Sequence, residues 1–222
     1  MIKLFFQAIA KFTAGLLLFA ALLFLPAGGT DYKNGWLLIA VLFIPMFIAG
    51  IVMLLKNPEL LRRRLNAKET EPEQKTVVAL SGLMFLAAFI TAGLNYRFGW
   101  FTIPSWLVWC SVAVFLAAYL MYAEVLRENA FLSRTIEVQE NQRVVDTGLY
   151  GIVRHPMYSS TLFLFSSMGL ILGSPVSFLI LLFYIPIIVK RIRNEEKVLE
   201  KELPGYSDYM KKVRYRLIPH IW

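Results

Sequence analysis

An all-α, polytopic membrane helical bundle of about six spans is the fold the sequence predicts, and three observations predict it. The 222 residues are 58% hydrophobic and 17% charged, against about 45–50% apolar and about 25% charged in a soluble domain. Apolar stretches of about 20 residues recur, the length a helix needs to cross the hydrocarbon layer. Lys and Arg gather in alternate connectors: six in 56–75, four in 126–156 and nine from Lys190 onward, while the opposite loops hold only Lys33 and Arg97. Because basic residues mark the cytoplasmic side, six crossings with both termini cytoplasmic satisfy every connector. Five crossings would put one basic segment on the wrong side.

The elements follow in order. A basic start, Lys3 and Lys11, precedes an apolar core at residues 16–25, which resembles a secretory leader. The stretch is long, however, and Pro26-Ala27-Gly28-Gly29 is a weak cleavage site, so a retained first span at 4–25 is expected. Span two covers 35–55, with Pro45 predicted to kink it. In 56–75, Asn57-Pro58-Glu59 reads as a helix start, with Leu60, Leu61 and Leu65 on one face beside Arg62, Arg63 and Arg64. This predicts a short amphipathic helix on the membrane surface. Spans three and four are expected at 76–96 and 104–125. Residues 138–145 read as an extended segment or loop, and Asp146-Thr147-Gly148 as a turn. Residues 157–189 are apolar but split by Gly173-Ser174-Pro175, which predicts a helical hairpin with short arms. The chain divides into N-terminal transmembrane helices at 1–125, with the surface segment near 56–75, and a C-terminal region at 126–222.

Chemistry concentrates where the hairpin's two ends meet. Before it stand Tyr150, Arg154, His155, Pro156 and Tyr158; after it stand Arg191, Glu195 and Glu196. Pro156 suits the first turn of a helix. Free N–H groups at that helix start, together with Arg154, favour an anion. Arg191 and Glu195 are an i,i+4 pair, and Lys197 and Glu200 an i,i+3 pair. Charges this close to an apolar span are costly unless paired or functional. Beyond Pro204-Gly205, Tyr206 and Tyr209 lie on one side of a turn, placed either to cover a ligand or to anchor at the interface. Cys110 is the only cysteine and reads as a small buried or lipid-facing hydrophobe. His155 and His220 are the only imidazoles, and their spacing supports no metal site. No basic face interleaved with stacking aromatics points to nucleic acid.

The ordered set Gly148-x-Tyr150-x-x-x-Arg154-His155-Pro156-x-Tyr158, an apolar hairpin, Arg191-x-x-x-Glu195-Glu196, then Gly205-Tyr206-x-x-Tyr209 and a closing Leu-Ile-Pro resembles the isoprenylcysteine carboxyl methyltransferase family. Phospholipid N-methyltransferases share a looser version. The resemblance covers roughly residues 130–222, and the Asn-Pro-Glu-Leu-Leu stretch looks like bacterial members. It implies S-adenosylmethionine as methyl donor, with Tyr150, Arg154, His155, Tyr158, Glu195 and Tyr206 at the cofactor and Arg191, Glu195 and Glu196 at the transfer site. It leaves open which glutamate does what. The acceptor it implies is a lipophilic molecule, isoprenoid or lipid-like, methylated at a carboxylate, and the location a bacterial cell membrane. An NADPH-dependent sterol-type reductase, with a related C-terminal architecture, is the alternative enzyme. A transporter or scaffold is the non-enzymatic one, disfavoured because the span interiors carry almost no charge.

Overall fold

The computed structural model describes residues 2–65, 72–132 and 138–222. It contains α1 (Ile2–Ala27), α2 (Lys33–Lys56), α3 (Pro58–Leu65), α4 (Pro72–Phe98), α5 (Ser105–Glu128), α6 (Pro156–Ile171), α7 (Pro175–Leu181), α8 (Tyr184–Glu202) and α9 (Tyr206–Lys212), and no strand among the described residues. The all-helical expectation therefore holds. Each long helix overruns its apolar run by a few residues, because polar ends keep bonding along the backbone beyond the hydrocarbon boundary. α2 continues across Pro45.

Among the described residues, five segments are long and apolar enough to cross a membrane: α1, α2, α4 from Gln74, α5, and α7 with α8 taken together. α6 has 16 residues, about 24 Å at 1.5 Å per residue. It nevertheless traverses the bundle. Tyr32, the residue before α2, donates its hydroxyl to the Leu172 carbonyl just past the end of α6, at 2.5 Å. The far end of α6 thus lies level with the α1–α2 turn, so six passes run through the fold although only five segments meet the length of a span.

The hairpin turns at Gly173-Ser174-Pro175 as expected; Ser174 caps α7 by accepting from the Ser177 N–H at 3.2 Å. Its second arm differs from the single helix expected, breaking at Leu182 and Phe183. Pro186 has no N–H to give the Leu182 carbonyl four residues back, and its ring crowds that carbonyl. α6 packs most extensively on α5 and also on α7. A Cβ at Gly169 would fall 2.4 Å from the Phe178 backbone nitrogen, so only a glycine lets α6 and α7 approach so closely. Hydroxyls on α6 hide by bonding back into the helix: Ser160 to the Met157 carbonyl and Ser167 to that of Phe163.

The core runs through all the spans, with Leu23, Leu38, Phe115, Ile171, Ile188 and Ile192 fully buried. Leu17, Leu18, Leu83, Trp106, Trp109 and Leu120 are exposed, as lipid-facing residues must be. Cys110 is exposed on α5 and free, the lipid-facing of its two readings. The amphipathic segment materialises as α3. The Asn57 side chain accepts from the Leu60 N–H at 3.1 Å, an N-cap, and Leu60 and Leu61 are buried. The rest of the connector at 66–71, and 133–137 of the next one, lie outside the described residues. α3 is tied to its neighbours: Lys11 of α1 donates to the Leu65 carbonyl, Arg63 to the Ala130 carbonyl at 2.9 Å, and Arg64 to the Tyr122 hydroxyl.

Candidate active site

The site begins where α5 ends. Glu128 takes the Leu149 N–H on its carboxylate, at 3.0 and 3.3 Å. Gly148 has φ +54°, and a Cβ there would sit on the Glu128 carboxylate, so this turn requires glycine. A single 3-10 turn, Gly148–Gly151, follows and buries Tyr150. The Tyr150 hydroxyl accepts from Asn129 at 3.1 Å, and its carbonyl accepts from the Tyr209 hydroxyl at 2.7 Å. Two elements far apart in sequence are thereby pinned to the start of the Arg-His-Pro stretch.

The Arg-His-Pro segment is built differently from the expected anion site. Pro156 does occupy the first turn of α6. The N–H groups of Arg154 and His155, however, donate to the Tyr215 and Arg216 carbonyls, both at 2.9 Å. Arg154 itself faces inward, giving Nε to Glu196 Oε1 at 2.8 Å and Nη1 to the Val213 and Arg214 carbonyls. Ser159 adds a bond to the Leu217 carbonyl at 2.6 Å. The Arg154 and His155 N–H groups and Arg154 Nη1 are thus spent on the C-terminal strap at 213–217, and Arg154 Nε on Glu196.

Glu196 is the hub of this closure. One carboxylate oxygen takes Arg154 at 2.8 Å and His155 Nε2 at 3.2 Å; the other takes Arg216 Nε at 2.8 Å. The Arg154 and Glu196 side chains are only 5% and 8% exposed. Three donors satisfy the acid, which a buried carboxylate requires.

Glu195, the neighbouring residue, faces the other way. The Tyr158 hydroxyl donates to Glu195 Oε2 at 2.5 Å and accepts from Arg191 Nε at 2.9 Å. The i,i+4 pair is thus bridged by a tyrosine from the opposite helix. Lys197 and Glu200 form no ion pair among the described residues, whereas Arg62–Glu59, Arg127–Glu124, Lys211–Asp208 and Lys212–Asp146 pair at the surface.

Between these walls opens a polar cleft that communicates with solvent. Tyr150, Arg154, His155, Tyr158, Arg191, Glu195 and Tyr206 all line it; Glu196 does not and stands behind the wall. Tyr206 and Tyr209 are both buried, packed with Leu203 and Val213. Burial pushes the Tyr206 phenol well above its ordinary value, so it stays a hydrogen-bond donor, and its hydroxyl is buried without a partner. An orphaned donor in a cleft wall is expensive unless a ligand satisfies it. The cleft also contains residues that sequence reasoning missed: Asn129, Phe131, Arg143, Met157 and Leu199. Arg143 is exposed and brings positive charge to the rim. It lies in a connector with no periodicity to mark it, and only the folding of 138–147 over the cleft reveals it.

A second, open hollow lies between α4 and the α7–α8 arm. Val77, Leu80, Met84, Phe183 and Ile187 line it, and Lys190 is its one charged residue. It faces the membrane layer rather than the polar cap.

Known proteins connect to this region. The mouse Delta(14)-sterol reductase TM7SF2 is 29% identical over 91 residues, which is 40% of this chain and 22% of that protein. The chain therefore spans less than a quarter of that relative's length. The model of the isoprenylcysteine carboxyl methyltransferase (ICMT) family matches residues 107–201, the stretch that holds Glu128, the Arg-His-Pro segment, the hairpin and both glutamates. Residues 107–201, from within α5 to the last turn of α8, are thus similar to the isoprenylcysteine carboxyl methyltransferase family.

Proposed function

We propose that this membrane protein transfers a methyl group from S-adenosylmethionine to a carboxylate on a lipophilic, isoprenoid or lipid-like acceptor. The observation that carries the reading is the Glu195–Tyr158–Arg191 chain, which stands between a polar cleft and an apolar groove. The residues present fit the cofactor. Glu195 supplies negative charge for an ammonium or sulfonium, Arg143 positive charge for a carboxylate, and the Tyr206 hydroxyl an unmet donor.

When bound, the cofactor supplies an electrophilic methyl on sulfur; the acceptor oxygen–carbon bond forms in line as the carbon–sulfur bond breaks, its electron pair remaining on sulfur. Arg191 orients the acceptor's carboxylate, and Tyr158 holds Arg191 in register with Glu195. Alignment of this kind supplies most of the rate in a two-body displacement. A carboxylate nucleophile needs no base. An amine would need one, and both residues suited to that task, His155 and Glu196, are bonded to each other in the buried clasp. That favours oxygen as the methylated atom. The groove gives a greasy tail a place beside the site while the soluble donor enters from the polar face. The excess of basic residues on that face supports a cytoplasmic cap with both termini inside.

The reductase reading rests on the sterol reductase relative. That relative is matched over only 22% of its length, which weighs against carrying its chemistry over. Calorimetry on the detergent-solubilised chain separates the two. Micromolar binding of S-adenosylhomocysteine, lost in Glu195→Ala and kept in Lys33→Ala, is expected. NADPH binding with no response to S-adenosylmethionine or its product overturns the proposal. Labelled donor incubated with a membrane lipid extract then identifies the acceptor, and alkali-labile label marks a methyl ester.

A further inference from the structure

α4 and α8 face each other along the apolar groove, and their stripes continue past it. On α4 the lining residues Val77, Leu80, Met84 and Ala87 recur every three to four positions, and the next position toward the polar cap is Gln74. On the other wall, Phe183 just before α8 and Ile187 and Lys190 on it lead in the same way to Arg191 and Asn194. Gln74 is 1% exposed. Its Oε1 accepts from Arg191 Nη1 at 3.4 Å, and its Nε2 is buried with no partner. Asn194 Nδ2 is likewise buried and unpartnered, one turn beyond Arg191. One orphaned amide donor therefore belongs to the side chain that meets the arginine of the polar cleft, and a second lies three residues along α8 from that arginine.

Resting on the methyltransferase reading, we propose that Gln74, with Asn194, is the head-group recognition site for the acceptor. The ligand class is a single-tailed amphiphile with an anionic, hydrogen-bond-accepting head. The head takes N–H bonds from both amides beside Arg191, and the tail lies along Val77, Met84 and Ile187. An unpaired amide donor at the end of a span is costly in the empty protein; an incoming carboxylate satisfies it. An ammonium head offers donors only and meets donors, so the site selects acids over amines. Gln74 lies outside the region matched by the family model and Asn194 inside it, so the site joins α4 of the N-terminal half to α8.

The test uses the full chain in lipid nanodiscs and two photoreactive probes with the same 16-carbon, diazirine-bearing tail, one ending in a carboxylate and the other in a primary amine. Labelled peptides are mapped by mass spectrometry. The carboxylate should label the groove segments of α4 and α8 about tenfold more than the amine, the size expected of a hydrogen bond to a charged group. Gln74→Leu should reduce the carboxylate to the amine's level. Gln74→Glu, nearly isosteric, should reverse the preference and serves if the leucine variant fails to fold. Equal labelling by the two probes, or selectivity unchanged in both variants, overturns the inference. S-adenosylhomocysteine affinity, measured on the same samples, keeps the two claims apart. Its absence in the unaltered chain sinks the methyltransferase reading while head selectivity is still read directly. Its presence alongside unselective labelling sinks only the head-group site.

Discussion

Glu195 and Glu196 are neighbours on one helix turn, yet they belong to two different regions of the molecule. Glu196 points into a buried clasp with Arg154, His155 and Arg216. Glu195 points into the cleft and meets Tyr158. The same contrast holds on a larger scale. The spans pack through apolar side chains and close backbone approach, with few polar bonds between helices. The polar cap, made of the start of α6, the end of α8, α9 and the strap at 213–217, is held by a dense network of charge-assisted and backbone bonds. A bundle in lipid needs only length and packing, whereas a cap in water must cross-link its short pieces to hold a cleft open. Adjacent residues of identical chemistry can therefore serve, one as a rivet, the other as a ligand-facing group.

Breaking the rivet should have the largest effect. Glu196→Ala leaves Arg154 buried without its acid and should destabilise the cap by about 3–5 kcal/mol, read as a lower melting temperature; Arg154→Met with Glu196→Leu should recover much of that loss. Glu195→Gln should leave melting nearly unchanged but weaken S-adenosylhomocysteine binding about tenfold or more, because the lost interaction is with a charged group. If the two single variants behave alike, the division of labour between the glutamates is wrong. In the membrane half, Gly169→Ala forces a Cβ against the Phe178 backbone and should cost about 1–3 kcal/mol, visible in thermal unfolding in detergent. Tyr206→Phe removes an orphaned hydroxyl and should hold or raise the stability of the ligand-free protein while weakening S-adenosylhomocysteine binding by roughly three- to tenfold. Cys110→Ala, on a lipid-facing surface, should change neither property beyond about 0.5 kcal/mol.

The spans were legible because each apolar run of sufficient length has a single solution in lipid. The hairpin was legible from Gly173-Ser174-Pro175, and the meeting of Arg154 with the twin glutamates followed from it. The bridge from Arg191 through Tyr158 to Glu195 was not, since i,i+4 spacing predicts a direct pair and says nothing of a tyrosine arriving from α6. Nor was the spending of the Arg154 and His155 N–H groups on the strap. Those bonds join residues some 60 positions apart, and no local pattern encodes them. The break at Leu182 was in principle readable from Pro186, a signal that the strength of the apolar run concealed.

Composition, apolar run length and basic-residue placement, by themselves, determined that this chain is a helical membrane bundle whose polar chemistry gathers at one face. These are local quantities, set by what a backbone must do in hydrocarbon. Only the tertiary structure decided which side chains face the cleft and which are consumed in holding it, Glu195 against Glu196 above all. The physical reason is that a side chain's direction depends on which distant donors and acceptors reach it first, and that contest is settled only when the helices are packed.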